Sequence, residues 1–215
     1  MTPLNEQAYL HLRRMVRSDA FERGKIYSET GVSKELGISR TPVRDAIHRL
    51  SQEGYIDIVP SKGFMLHHLT KQDVIETFQI RSAIETFCAR RICEETDTPK
   101  AKRFLGEMDE IMERMYQIMA TTKSIEEFCK YDFDFHTGLV DYLENEQLSS
   151  VYGLYVHRMI NLAELSLKHK SRMDDTCEEH MAILAGMKNG DVDHIYEITM
   201  RHMDTPKAIN LADLL

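Results

Sequence analysis

The 215-residue sequence has no tryptophan, only five prolines and no apolar run close to the roughly 18 residues that a membrane span needs. The N-terminal segment MTPLNEQAYLHLRRM lacks the apolar stretch and the cleavage site of a signal peptide. The four cysteines form no CxxC pair, which argues against a disulfide framework and a thiolate metal cluster. We therefore expect a reduced, cytoplasmic protein that does not depend on a membrane.

Negative charge dominates the chain, with a formal net charge of −8, but it is unevenly distributed. Residues 1–68 contain 10 Lys and Arg against 8 Asp and Glu, whereas residues 69–215 contain 17 against 27. Only the first part could tolerate a polyanion nearby, because the second part would repel it. This asymmetry predicts two domains with different tasks, 1–68 and 69–215.

The N-terminal part predicts a winged helix-turn-helix domain. Apolar residues at helical spacing predict a first helix over 5–17, and a second helix is expected between Ser28 and Gly37. A third begins after Ser39, and apolar alternation on both sides of a turn at 60–63 predicts a β-hairpin. Three helices followed by a hairpin are the order of a winged helix-turn-helix.

The remainder of the chain shows no further strand pattern. Capping signals and apolar periodicity predict an all-α bundle of about six helices, so the fold class is mainly α. The predicted helices run from Thr70 to about residue 95 and then over 98–121, 124–143, 146–169, 173–188 and 191–206.

The third helix and the hairpin turn carry residues suited to DNA. The second helix of a helix-turn-helix lies in the major groove, where arginine can bind guanine edges or phosphates and hydroxyl groups can bind phosphates. A solvated face with two arginines is the alternative, but the order of elements favours DNA binding. The candidate DNA-contacting residues are Ser39, Arg40, Thr41, Arg44, Lys62 and Gly63.

The stretch RGKIYSETGVSKELGISRTPVRDAIHRLSQEGYIDIVPSKGF resembles the GntR family of bacterial transcription regulators. The resemblance covers about residues 5–68 and includes the recognition-helix signature GISRTPVRDAIHRLSQEGYI. It implies DNA contacts by Ser39, Arg40, Thr41, Arg44 and the wing around Gly63. One departure is Thr30, which stands where the family often has a charged residue. The resemblance therefore implies no phosphate or base contact from this position, and it leaves the operator preference open.

Four polar side chains fall on the predicted inward faces of the helical part. In YDFDFH, Asp132 and His136 lie one helical turn apart, and His180 and His202 continue apolar rows of the last two helices. An unpaired buried carboxylate is costly, whereas one carboxylate oxygen and three imidazoles suit a first-row divalent metal. The alternative is a hydrogen-bonded Asp132–His136 pair without a metal. We expect zinc first, with nickel, iron, manganese and cobalt as alternatives.

The helical part is similar to the FCD domain, the effector domain of the FadR-like subclass of GntR regulators. The matching pieces are RSAIE, DFDFH, EHMAI and the segment from Gly190-Asp191 to His202. The resemblance implies a metal bound by Asp132, His136, His180 and His202 beside a pocket for a small carboxylate or sugar acid. Arg81 is expected to face inward, where it could pair with such a carboxylate or, alternatively, with Glu85.

These patterns predict a ligand-responsive transcription regulator, a repressor rather than an enzyme. It would bind a palindromic operator as a homodimer, because a two-fold symmetric protein reads two-fold symmetric DNA. A small organic acid captured beside the metal would bias helix packing and so operator affinity. The alternatives are a regulator that senses the metal itself, a metal-dependent enzyme domain and a purely structural metal.

Overall fold

The structure is a computed structural model that describes residues 2–18 and 20–214. These residues form ten helices and one two-stranded sheet. The elements are α1 (Leu4–Arg17), α2 (Glu29–Leu36), α3 (Arg40–Gln52), β1 (Ile56–Val59), β2 (Gly63–Leu66), α4 (Lys71–Glu94), α5 (Pro99–Ala120), α6 (Ile125–Asp141), α7 (Glu146–Gly153), α8 (Val156–Leu167), α9 (Arg172–Lys188) and α10 (Ile195–Asp213).

The chain divides into two compact units. The first contains the described residues up to Leu69 together with Leu154–Arg158, and the second contains Thr70–Gly153 and the described residues from Met159 onward. No helix within 2–18 or 20–214 is long and apolar enough to cross a membrane.

The first unit is a winged helix-turn-helix. Helix α3 packs against α1 and α2, and the antiparallel strands β1 and β2 pair Ile56 with Leu66 and Val59 with Gly63. The Ser28 hydroxyl accepts a hydrogen bond from the Gly31 amide and caps α2. Ser39 occupies the N-cap position of α3, but its side chain makes no capping hydrogen bond. The predicted helix-turn-helix with a hairpin wing is confirmed.

Gly63 lies where the wing meets the segment before α2. The Tyr27 amide donates to the Phe64 carbonyl at 2.7 Å, and the Phe64 amide donates to the Tyr27 carbonyl at 2.9 Å. Gly63 has a φ of 135°, and a Cβ at this position would lie 2.0 Å from the Tyr27 carbonyl oxygen. The close approach of two backbones therefore requires glycine here.

Replacing Gly63 by alanine is expected to lower the free energy of unfolding of the first unit by about 1–3 kcal/mol. The cause is the unfavourable φ combined with the clash against Tyr27. Gly24→Ala is the matched control, because Gly24 also has a positive φ of 76° but no atom of the described residues lies within 4 Å of its added Cβ. Urea denaturation followed by circular dichroism measures both variants. Equal losses would show that the contact with Tyr27 contributes nothing.

The described residues from Thr70 onward form seven helices, α4 to α10, rather than the predicted number of about six. The predicted helix over 146–169 is wrong, because α7 ends at Gly153 and α8 begins at Val156. Gly153 disfavours a continuous helix at this point, because glycine loses more backbone conformational entropy in a helix than other residues do. The mainly α fold class is confirmed. The last helix is also longer than predicted and continues past Pro206 to Asp213.

Helix α4 occupies the centre of the second unit. It packs against α10, α9, α6 and α7, so its buried face meets the inward faces of four other helices. The predicted capping box at its start is present: the Thr70 hydroxyl accepts from the Asp73 amide, and the Asp73 carboxylate accepts from the Thr70 amide. The helices α4, α6, α9 and α10 carry the polar residues that the sequence placed in the interior.

Candidate metal centre and nucleic-acid interface

Three histidines from three helices converge in the interior of the second unit. His136 lies on α6, His180 on α9 and His202 on α10, and all three are buried. Their Nε2 atoms face one another: His136 Nε2 lies 3.2 Å from His180 Nε2 and 3.3 Å from His202 Nε2. Among the described residues, these three ring nitrogens form a donor group of metal-binding size.

Two glutamates, the buried Glu85 and the half-buried Glu179, fix the orientation of two of these rings. His136 Nδ1 lies 2.7 Å from Glu85 Oε2, and His202 Nδ1 lies 2.8 Å from Glu179 Oε2. Because an ionised carboxylate only accepts hydrogen bonds, each Nδ1 carries a proton, and in the neutral, metal-binding form of each ring the Nε2 atom presents a lone pair. Two lone pairs 3.3 Å apart repel each other unless a cation lies between them. The donor set therefore fits a metal ion.

The spacing of the nitrogens also suits a metal. Nitrogen ligands at about 2.0–2.1 Å from a tetrahedral zinc ion are about 3.3–3.4 Å from each other. The two measured separations, 3.2 and 3.3 Å, are close to that edge length. The buried histidine triad is thus consistent with a metal site.

Asp132 lies at the edge of the triad rather than in contact with it. Its Oδ1 is 3.9 Å from His136 Nε2 and 3.7 Å from His180 Nε2. The structure therefore brings the three predicted histidines together and places the predicted aspartate next to two of them. A carboxylate oxygen at this distance can approach a shared cation through a small change of the Asp132 side chain.

His180 is held by packing instead of a carboxylate. Its ring stacks on Phe135 with the centroids 4.1 Å apart, and its Nδ1 is buried without a hydrogen-bond partner among the described residues. Burial lowers the pKa of His180 well below its ordinary value, and the neighbouring His202 and His136 lower it further. The ring is therefore neutral, which is the form that binds metals.

The second glutamate belongs to an ion-pair network with a buried arginine. Both Nη1 and Nη2 of Arg172 donate to the Glu179 carboxylate, at 2.8 and 2.6 Å. Burial opposes ionisation of Glu179, but hydrogen bonds from His202 and Arg172 outweigh it and lower the pKa to about 2. Glu179 is consequently a carboxylate at neutral pH, as its role towards His202 requires.

Arg81 forms the intrahelical pair that the sequence left open as an alternative. Its Nε donates to Glu85 Oε1 at 2.8 Å, and the Tyr152 hydroxyl donates to the same oxygen at 2.7 Å. Burial opposes the charged form of Glu85, but Arg81 and His136 outweigh it and hold the pKa of Glu85 below its ordinary value. The Arg81 Nη2 is buried and has no hydrogen-bond partner among the described residues.

A narrow cavity adjoins the triad. It contains about 10 Å³ of free space, close to the minimum for one water molecule. An organic acid could enter only if side chains of the wall moved. The wall consists of Arg81, Cys129, Asp132, Phe133, His136, Tyr152, Met159, Ile160 and Ala163.

The predicted DNA-contacting residues lie at the surface of the first unit. The four residues at the start of α3 are exposed, Lys62 is exposed in the hairpin turn and Gly63 is half-buried. Gly63 has the structural role described above. The four exposed residues at the start of α3 are Ser39, Arg40, Thr41 and Arg44.

Several residues that pair with or orient the predicted site residues were not identified from the sequence. Glu179, Arg172 and Tyr152 were not identified, and neither was Glu29, which contacts Arg44. One signal was available, because Glu179 directly precedes the inward-facing His180. Pairing between helices leaves no regular spacing in the sequence, so Tyr152 and Glu29 had no such signal.

A winged helix-turn-helix followed by a helical unit with a buried histidine site defines a class of protein: a DNA-binding regulator with a second, helical domain suited to holding a metal ion. The chain belongs to the GntR family of bacterial regulatory proteins, in the FadR-like group with a C-terminal FCD domain. The GntR family model matches residues 4–66, and the FCD domain model matches residues 76–205. The family membership expected from the sequence is confirmed.

Its relatives are transcription regulators. The HTH-type transcriptional repressor RspR of Escherichia coli (strain K12) is 25% identical over 204 residues, covering 94% of this chain and 86% of that protein. The gluconate operon transcriptional repressor of Bacillus subtilis (strain 168) is 25% identical over 173 residues, covering 80% and 68%. The solved structure of E. coli McbR/YncC has a TM-score of 0.73 and 21% identity over the full length of both chains. The fold is shared along the whole chain.

Proposed function

We propose that this regulator represses transcription as a homodimer on a palindromic operator, and that a small carboxylate or sugar acid controls its operator affinity. The acid would bind beside a divalent metal held by Asp132, His136, His180 and His202. The observation that carries the proposal is the pair of carboxylate-oriented imidazoles, which aim two lone pairs at one buried point.

Zinc fits the nitrogen spacing, and nickel, iron, manganese and cobalt accept the same donor types. A metal with an open coordination position would supply a Lewis-acidic contact for one oxygen of a carboxylate. The protein would supply a second contact through Arg81, which lines the same cavity and whose Nη2 has no hydrogen-bond partner among the described residues. A charge-assisted hydrogen bond at this position favours an anion over a neutral ligand.

The relatives support the remaining parts of the proposal. RspR is named a repressor, and the Bacillus relative is named for the operon of a sugar acid. The cavity is too small for an acid without movement of its wall. Because α4, α6, α7 and α8 contribute that wall, acid binding would change how these helices pack. Such a change is the physical link by which an effector could alter operator affinity.

The proposal is tested by combining metal analysis with DNA binding. Inductively coupled plasma mass spectrometry of the purified full-length protein should find a divalent metal at about one per chain. Fluorescence anisotropy with a duplex selected from a random library should then give an operator Kd that changes on addition of gluconate, citrate or another small acid from a panel. A response to metal alone would make the metal itself the signal, and no response to either would refute effector control.

Replacing Arg44 by alanine is expected to weaken binding to the selected duplex by about 1–3 kcal/mol. Arg44 is exposed at the start of α3, where a recognition helix contacts base edges. Arg103→Ala is a control, since it removes the same charge from the second unit. If both variants keep the wild-type Kd, Arg44 does not contact DNA.

A further inference from the structure

Glu29, the first residue of α2, lies against Arg40 and Arg44, two of the three arginines of the recognition helix α3. Arg44 Nη2 donates to Glu29 Oε2 at 2.9 Å, and Arg44 Nε lies 3.2 Å from Oε2 and 3.3 Å from Oε1. Arg40 Nη2 is 3.8 Å from the same carboxylate. One acidic residue thus contacts two side chains that are expected to meet a polyanion.

The contact uses one particular edge of the Arg44 guanidinium. The Arg44 atoms that donate to Glu29 are Nε and Nη2, which lie along one side of the guanidinium group. The outer end, made by Nη1 and the second hydrogen of Nη2, remains available for another pair of acceptors. A guanine presents such a pair, O6 and N7, in the major groove. Glu29 therefore orients Arg44 with its outer end directed away from α2.

The same contact reduces attraction to phosphates. Non-specific DNA binding depends on arginines and lysines that neutralise phosphates and release counterions. A phosphate that approaches Arg44 also approaches the carboxylate of Glu29, which repels it. Guanine O6 and N7 are uncharged acceptors, so this repulsion is weaker at a correct base pair.

We propose that Glu29 is a positioning residue that directs Arg44 towards a base edge and discriminates against phosphate contacts, which raises the preference for operator over non-specific DNA. The proposal rests on the proposed DNA contact of Arg44. A purely stabilising role is a poor explanation, because a pair between partly exposed side chains is worth only about 0–1 kcal/mol. Glu29 variants should consequently remain folded.

The test compares Glu29→Gln with wild type on two duplexes, the selected operator and a scrambled sequence of the same composition. For the scrambled duplex, we expect affinity to increase about fivefold, since one nearby negative charge is removed. The slope of log K against log salt should become more negative by about 0.9, as for one additional phosphate contact. Operator affinity should change less, so the specificity ratio falls.

Glu6→Gln is the matched control. Glu6 also pairs with an arginine of α3, with Arg49 Nη1 at 2.9 Å from its Oε2, and the substitution removes the same charge. In the Arg44→Ala background, Glu29→Gln should have a much smaller effect on both duplexes, because Glu29 acts mainly through Arg44 and only its looser contact with Arg40, at 3.8 Å, remains.

Three results would overturn the inference. The first is that Glu29→Gln changes the affinities for the two duplexes no more than Glu6→Gln does. The second is that Glu29→Gln keeps its full effect on these affinities in the Arg44→Ala background. The third is that Glu29→Gln weakens binding to the operator without strengthening binding to the scrambled duplex. In the last case Glu29 itself contacts a base. If Arg44→Ala binds the operator like wild type, the proposed contact of Arg44 fails together with the inference. If Arg44→Ala loses affinity and Glu29→Gln matches its control, only the inference fails.

Discussion

Replacing His136 by alanine is expected to lower the zinc affinity of the full-length protein by more than about 100-fold. An outer partner of a metal ligand is already worth about 10–100-fold in affinity, so the loss of a ligand exceeds that range. Among the three histidines, substitution of His136 is expected to lower zinc affinity most, because its Nε2 lies within 3.3 Å of both other histidine Nε2 atoms. A competition titration against a chromophoric zinc chelator measures the change.

His194→Ala serves as the control for this experiment. His194 is an exposed histidine of the same unit that contacts Asp191 at 2.8 Å, and it lies outside the triad. Its substitution should leave zinc affinity unchanged. A wild-type affinity in His136→Ala would place any bound metal elsewhere. If the wild-type protein itself binds no divalent metal, the proposed metal centre is wrong.

The three histidines of the site are restrained in two different ways. Carboxylates orient His136 and His202, whereas His180 is restrained by stacking on Phe135. Fixed tautomers and buried rings reduce the reorganisation that metal binding requires. The protein instead carries the cost of burying Glu85 fully and Glu179 partly, which Arg81 and Arg172 offset.

The histidine triad could be predicted from the sequence because each histidine repeats the apolar period of its own helix. His136, His180 and His202 all fall on inward faces, and the structure brings them together. The position of Asp132 could not be predicted in the same detail. Helical spacing places it one turn from His136, but the distances to the Nε2 atoms depend on how α6, α9 and α10 pack.

Helix boundaries were predicted where capping residues are local, and missed where they are not. Thr70 with Asp73 identified the start of α4, because both partners lie within one helical turn. The break between α7 and α8 has only Gly153 as a local signal, and a single glycine is tolerated within many helices. The division of the bundle therefore depends on tertiary packing.

The link between Arg81 and His136 is the second feature with a large expected effect. Glu85 is fully buried and accepts hydrogen bonds from Arg81, Tyr152 and His136. Removing the carboxylate leaves the positive charge of Arg81 in the interior without its partner. The loss of one member of a buried ion pair costs more than the pair contributes, because the remaining charge is uncompensated.

Replacing Glu85 by alanine is therefore expected to lower the free energy of unfolding of the second unit by about 3–5 kcal/mol. The measurement is urea denaturation at neutral pH in the presence of a chelator, so that metal binding does not contribute. Glu94→Ala is the control on the same helix, since Glu94 pairs with Arg90 and Arg91 at the exposed surface. It should cost less than about 1 kcal/mol. Equal losses in the two variants would mean that the buried network contributes no more than a surface ion pair.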